Sequence, residues 1–267
     1  MITNQQIEKL EKKYLNKYYH FLKFAEDEML EGFKTKEKIK NDWIGLYKSG
    51  ISDFATGAER IVYALLNGKG IGQPNSSPVG SDLFFEVSDA FIHIDLKTTG
   101  ATLKPQKEDK AKGIKAWNNN IGDYTKSQPV GINQCSYSSE IKKADGTSFN
   151  PKRIYKPNLP SIYNSGSKDE KPCLSYFVTI LFDKDTLDIL VISIMCMPNG
   201  QLESHYKSRV LKAGKNIPKT RYNFSKTTDF EILNDNSKRI KVVYFDKKMD
   251  KTYLSKLKMI EDIYDKQ

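Results

Sequence analysis

The chain has 267 residues, with 43 Lys and Arg against 33 Asp and Glu and a formal charge of +10. A chain of this length buries roughly three quarters of its unfolded surface, so it needs no disulfide or metal staple, and no apolar run approaches the ~20 residues of a membrane span. Cys135, Cys173 and Cys196 are odd in number and form no Cys-x-x-Cys pair, which excludes a disulfide framework and a zinc ribbon, and the opening Met1–Gln6 lacks the charged-then-apolar order of a secretion signal, so a reducing cytoplasmic setting is expected.

Ile7, Leu10, Tyr14, Phe21 and Leu22 recur at helical spacing and predict a helix over residues 5–33, followed by a second over Lys36–Tyr47 that stops at Ser49-Gly50. A third runs from Thr56-Gly57 to about Asn67, with an apolar stripe of Ile61, Val62, Leu65 and Leu66 and with Glu59 in its first turn. After the irregular segment Gln73–Pro78 come two short strands, Asp82–Val87 and Phe91–Thr98, joined across Ser88-Asp89-Ala90. Residues 100–172 form a long polar excursion rich in proline. Leu174–Phe182 and Leu187–Met195 are apolar and β-branched, as buried central strands are. Phe230–Leu233 and Ile240–Phe245 are predicted to pair as a last hairpin, and Leu254, Leu257, Ile260, Ile263 and Tyr264 to line a terminal amphipathic helix.

The positive charge is uneven. Residues 205–228 carry seven Lys or Arg and no Asp or Glu, with Tyr206, Tyr222 and Phe224 interleaved, a composition suited to the phosphates of a polyanion.

The chemistry is concentrated in Gly80-Ser81-Asp82-Leu83-Phe84-Phe85-Glu86-Val87 and Phe91-Ile92-His93-Ile94-Asp95-Leu96-Lys97-Thr98-Thr99. Alternation puts Ile92, Ile94 and Leu96 on one face and His93, Asp95 and Lys97 on the other. A two-residue turn at Ser88-Asp89 would set Asp82 opposite Asp95, bringing two carboxylates within about 5 Å. Such a pair is relieved by a divalent cation, and an amine two residues on can hold a water or an anionic oxygen beside it. Those parts suit metal-assisted hydrolysis of a phosphodiester, with Glu59 available to complete the shell. The triplet acid-x-Lys alone carries little weight, since it recurs at Glu11-Lys12-Lys13 and Asp246-Lys247-Lys248. The copy at Asp95 is set apart by its apolar alternating strand and the acid-bearing strand before it. Glu86 is a rival for the first acid, and His93 is expected to pack rather than ligate.

Helix with Glu59, strand opening Ser81-Asp82, and strand ending Asp95-Leu96-Lys97 resemble the PD-(D/E)xK nuclease core over about residues 56–99, and within it type II restriction endonucleases. Ser81 stands where that family commonly has proline. The resemblance implies an α/β fold with a restriction-endonuclease-like core: a central mixed β-sheet flanked by helices, an N-terminal helical segment and a long polar loop insertion. Residues 1–267 would then be a single nuclease domain, with a helical segment (1–50), the core motif (51–99), a DNA-facing excursion (100–172), and the remaining sheet, basic segment and C-terminal helix (173–267). It also implies that Asp82 and Asp95 ligate Mg²⁺ with the Leu96 carbonyl, that Lys97 is the catalytic lysine, and that Glu59 is the auxiliary acid.

By this reading the partners are double-stranded DNA, a second copy of the chain matching a palindromic site, and a cognate DNA methyltransferase. Cleavage would leave 5′-phosphate ends. Thr98, Thr99, Lys104, Lys107, Lys110, Lys112 and Lys115 follow the catalytic strand and are expected to track a backbone, as are Lys207, Arg209, Lys212, Lys215, Lys219 and Arg221 later. Asn118, Asn119, Asn120, Gln128, Asn133 and Gln134 supply amides for base contacts, and Arg209 and Arg221 guanidinium groups. A shape-selective repair or recombination nuclease and a non-catalytic DNA-binding protein are the alternative readings.

Overall fold

A computed structural model describes residues 2–43, 61–62, 64–66, 83–103, 127–129, 139–143, 147–155, 161–199, 221–223 and 237–267. Helix α1 (Asn4–Phe24) opens on a capping box, in which the Thr3 hydroxyl accepts the Gln6 backbone N–H and the Gln6 side chain accepts that of Thr3. The expected continuous helix over 5–33 is instead broken at Ala25, and α2 (Glu26–Trp43) begins one residue later. Glu26, Asp27 and Glu28 fill the first turn of α2, where the helix dipole favours carboxylates, and Lys23 pairs with Glu26 across the break. The two helices therefore restart around Ala25, although buried Leu22, Met29 and Phe33 keep an apolar face through it.

The main sheet has the order β1 (Leu83–Glu86), β2 (Phe91–Ala101), β7 (Lys171–Asp183), β8 (Ile189–Met197) and β10 (Ile240–Phe245), with β6 (Ile162–Tyr163) attached to the start of β7. Strands β2 and β7 are parallel; the other pairs are antiparallel, so the sheet is mixed. Strand β7 is buried almost end to end and β8 throughout, as their β-branched runs require. The partner of β10 among the described residues is β8; Phe230–Leu233, its expected hairpin partner, lies outside them.

Both faces are covered. Tyr14, Leu15, Tyr18 and Leu22 of α1, with Met29 and Phe33 of α2, pack on Ile92, Ile94, Leu96, Tyr176, Val178 and Ile194. Helical residues Val62 and Leu66 join that layer. On the opposite face α3 (Lys251–Lys256) and α4 (Lys258–Asp265) bring Tyr253, Leu257, Ile260 and Ile263 onto Phe177, Leu181, Val191, Met195 and Val242. The expected single terminal helix is thus two, meeting at Leu257.

The polar excursion is not one unstructured loop. It holds β4 (Ser139–Lys142) paired with β5 (Ser148–Tyr155), and β3 (Ser127–Pro129) paired with β9 (Arg221–Asn223). The latter pairing, Gln128 with Tyr222 and Pro129 with Arg221, ties the excursion to the basic segment.

Candidate active site

Strands β1 and β2 form a hairpin with a two-residue connection, Ser88-Asp89, closed by the Val87 N–H donating to the Ala90 carbonyl at 2.9 Å. The register pairs Leu83 with Ile94, Phe84 with His93, and Glu86 with Phe91. At the turn, the Asp89 carboxylate accepts from the Tyr14 hydroxyl and the Lys13 ammonium, which fastens the hairpin tip to α1. Those contacts hold Asp89 below the usual carboxylate range against the opposing effect of its burial, and burial raises Tyr14.

Along β2, Ile92, Ile94 and Leu96 enter the core beneath α1, which leaves Phe91, His93, Asp95, Lys97 and Thr99 on the other face. Asp95 is 3% exposed, while the Lys97 side chain is 30% exposed. The Lys97 ammonium forms an ion pair with Asp95 Oδ2 and donates to the Leu96 carbonyl at 3.3 Å. Removing a carboxylate from water costs several kcal/mol, and this pairing offsets it. Beside Asp95 stand Phe177 on β7 and Met195 on β8; beside Lys97 stand Thr179 and then Ser193. Apolar neighbours lower the local dielectric and strengthen every charge interaction at the carboxylate.

Thr99 shares the face of Lys97, and Thr98 lies on the opposite face; both are half-buried. His93 is fully buried, packs edge-on against Phe84 at 5.7 Å between ring centres, and has no hydrogen-bond partner among the described residues. Burial pushes its imidazole down to about 3. Glu86 pairs with Lys171 and faces Phe91, four residues and so about 13 Å along the strand from Asp95, which separates it from that acid. Glu59, Asp82, Lys104, Lys107, Lys110, Lys112, Lys115, Asn118, Asn119, Asn120, Lys207, Arg209, Lys212, Lys215 and Lys219 lie outside the described residues. For Arg221 only the backbone, in β9, is described.

Among the described residues no group of three or more His, Cys, Asp or Glu surrounds a common point. The Asp95 carboxylate and the Leu96 carbonyl are two hard oxygens already converging on a cation, the Lys97 ammonium. That donor set fits Mg²⁺, which is commonly held by one or two carboxylates and completes its shell with water. Sequence reasoning passed over Thr179 and Ser193, whose only signal is a hydroxyl inside each of two strongly apolar strands.

A mixed sheet covered by helices on both faces, with an Asp-x-Lys strand in its edge hairpin, is the architecture of a restriction-endonuclease-like nuclease. Residues 3–186 match the family model described as the N-terminal domain of the type II restriction enzyme MwoI, and residues 189–245 match the model of its central domain. The chain belongs to this MwoI family of type II restriction enzymes, and is a site-specific deoxyribonuclease. Its fold is similar to that of the restriction endonuclease BglI bound to its DNA recognition sequence, with TM-score 0.57, 14% identity, and 91% of this chain and 93% of that one covered. It is also similar to that of the tetrameric restriction endonuclease SfiI bound to cognate DNA, with TM-score 0.50, 13% identity, and 85% and 82% covered. No curated protein sequence matches the chain.

Proposed function

We propose that the chain cleaves double-stranded DNA at a palindromic site in a Mg²⁺-dependent reaction, as a homodimer, leaving 5′-phosphate ends. The observation that carries this reading is the placement of Asp95 and Lys97 on one face of β2, with the amine and the Leu96 carbonyl at the same carboxylate. Asp95, the Leu96 carbonyl, Asp82 and Glu59 would hold the cation. The observed register supports Asp82 in that role, because Leu83 faces Ile94 and the pairing runs toward Asp95 in the direction of residue 82. When bound there, Mg²⁺ supplies Lewis acidity at the phosphoryl group and lowers the pKa of water. Lys97 orients the attacking water and offsets charge gathering on the phosphate. Thr99, on the same face, would contact the backbone beside the scissile bond, with Thr98 next to it in β2.

Lys104, Lys107, Lys110, Lys112, Lys115 and Asn118–Asn120, together with Lys207, Arg209, Lys212, Lys215, Lys219 and Arg221, are proposed to line the DNA. The β3–β9 pairing supports treating the two segments as one surface. A single nuclease domain is supported by the junction between the two family models, which falls at residues 187–188. There a tight turn joins β7 to β8, neighbours in one sheet. A cognate methyltransferase protecting the same site, and a cytoplasmic location, complete the proposal. Family membership favours site-specific cutting over shape-selective repair or binding without cleavage.

The test is a plasmid digest with and without Mg²⁺ on wild type and Asp95→Ala. Wild type should give discrete fragments only with Mg²⁺. The variant should cut at least about 100-fold more slowly, yet still bind the same DNA in Ca²⁺. A variant that cuts at the wild-type rate overturns the site, and a metal-independent digest overturns the mechanism.

A further inference from the structure

Among the described strands β7 and β8 are the most thoroughly buried, yet each carries a hydroxyl that meets the other: Thr179 Oγ1 and Ser193 Oγ lie 2.7 Å apart, both inaccessible to water. Burying a hydroxyl is costly even when it is bonded, and valine would suit a strand as well at Thr179. The position of the pair is selective. Lys97, Thr179 and Ser193 form one straight row across β2, β7 and β8 on the face that holds Asp95. The rows to either side, Asp95 with Phe177 and Met195, and Thr99 with Leu181 and Val191, have no polar side chain on β7 or β8. On β7 and β8 the rows flanking the lysine carry no hydroxyl, and the next one on that face of β7 is Ser175, beside His93.

An ammonium has three N–H donors, and Asp95 and the Leu96 carbonyl account for two of them. The amine is turned toward Asp95 and the Leu96 carbonyl, and Thr179 is its neighbour in the β2–β7 register, about 4.8 Å away from strand to strand. A hydroxyl donates once and accepts twice, so Thr179 can hold Ser193 and take an amine hydrogen at the same time.

We propose that Thr179, oriented by Ser193, is a positioning residue for Lys97, holding its amine in the direction that the cleavage step uses. This rests on the reading of Lys97 as the catalytic amine. The two hydroxyls touch no substrate. Their effect falls on the rate of the chemical step and leaves DNA affinity unchanged.

The experiment compares Thr179→Val, Thr179→Ser, Ser193→Ala and Lys97→Ala on a plasmid that the wild type cuts into discrete fragments. Affinity for an uncut fragment spanning the plasmid's cleavage site is measured without Mg²⁺, and single-turnover cleavage is measured with it, well below each variant's melting temperature. Thr179→Val should bind as wild type and cleave between about 10-fold and 100-fold more slowly, the penalty of a misaimed catalytic group. Thr179→Ser, which keeps the hydroxyl, should restore the rate. If Thr179→Val cleaves at the wild-type rate while Lys97→Ala is inactive, positioning by Thr179 is overturned and the site stands. If Lys97→Ala itself cleaves normally, the site reading fails first. Should Thr179→Val not fold, Ser193→Ala decides: slowed chemistry with intact binding supports the proposal, and an unchanged rate overturns it.

Discussion

Glu11 of α1 and Arg239, just before β10, form an ion pair at 2.8 Å with their side chains 2% and 10% exposed. The same carboxylate accepts the Asn199 backbone N–H at 2.7 Å, and the Glu11 carbonyl accepts the Tyr176 hydroxyl at 2.9 Å. One glutamate thus ties the first helix to the end of β8, the start of β10 and the middle of the sheet. Truncating one member of a buried pair strands the other charge, which costs about 3–5 kcal/mol. Glu11→Ala should therefore lose stability of that order in urea unfolding. Glu11→Leu combined with Arg239→Leu should recover part of the loss, since no charge is left alone. A loss under about 1 kcal/mol for Glu11→Ala would remove the pair from the framework.

His93 makes stability depend on pH with a definite sign. Burial holds its imidazole near 3, against 6.5 in an open chain, so between those values the unfolded state takes up a proton and the folded state does not. The contribution is fully present above about pH 6.5 and is lost as pH falls toward 3. Each pH unit in that window is worth about 1.4 kcal/mol, so going from pH 7 to pH 5 removes about 2 kcal/mol through this residue. Chemical denaturation at the two values should show a smaller pH dependence for His93→Phe than for wild type. Equal slopes would contradict the assignment.

Gly100, paired with Phe182 near the end of β2, lies under the side chain of Lys184. A Cβ there would come within 2.5 Å of Lys184 Cε, 2.6 Å of Cγ and 3.0 Å of Phe182 Cζ. The Lys184 backbone is fixed by its N–H bond to the Ala101 carbonyl at 2.8 Å, so Cγ has little room to withdraw. Gly100→Ala should cost about 1–2 kcal/mol by overpacking, and Lys184→Ala should relieve most of that cost in the double variant. Additive losses in thermal unfolding would show that the crowding lies elsewhere.

The hairpin was legible because its determinants are local: Ser88-Asp89 fixes the turn length, the turn fixes the register, and alternation then assigns Asp95 and Lys97 to one face. Strands β7 and β8 were legible from their β-branched runs. The break at Ala25 was masked because Leu22, Met29 and Phe33 continue the apolar face through it, and the acids at 26–28 were the available sign of a new start. The start of β8 moved to Ile189 because Leu187 has a positive φ of 67° and belongs to the turn. Pairings between distant segments, β2 with β7 and β3 with β9, leave no local trace, since either strand would look the same beside another partner. The same blindness hid Thr179 and Ser193. Each reads as a lone polar residue in a greasy strand until the register sets them side by side.

The contact of Asp89 with Tyr14 and Lys13 makes α1 a splint for β2. Although the helix lies beneath the sheet and away from the acidic face, it grips the bend from which β2 sets out. Loosening that grip would let the whole ribbon pivot, so damage to the first twenty residues would surface as blunted catalysis, even with every reactive group still in the chain.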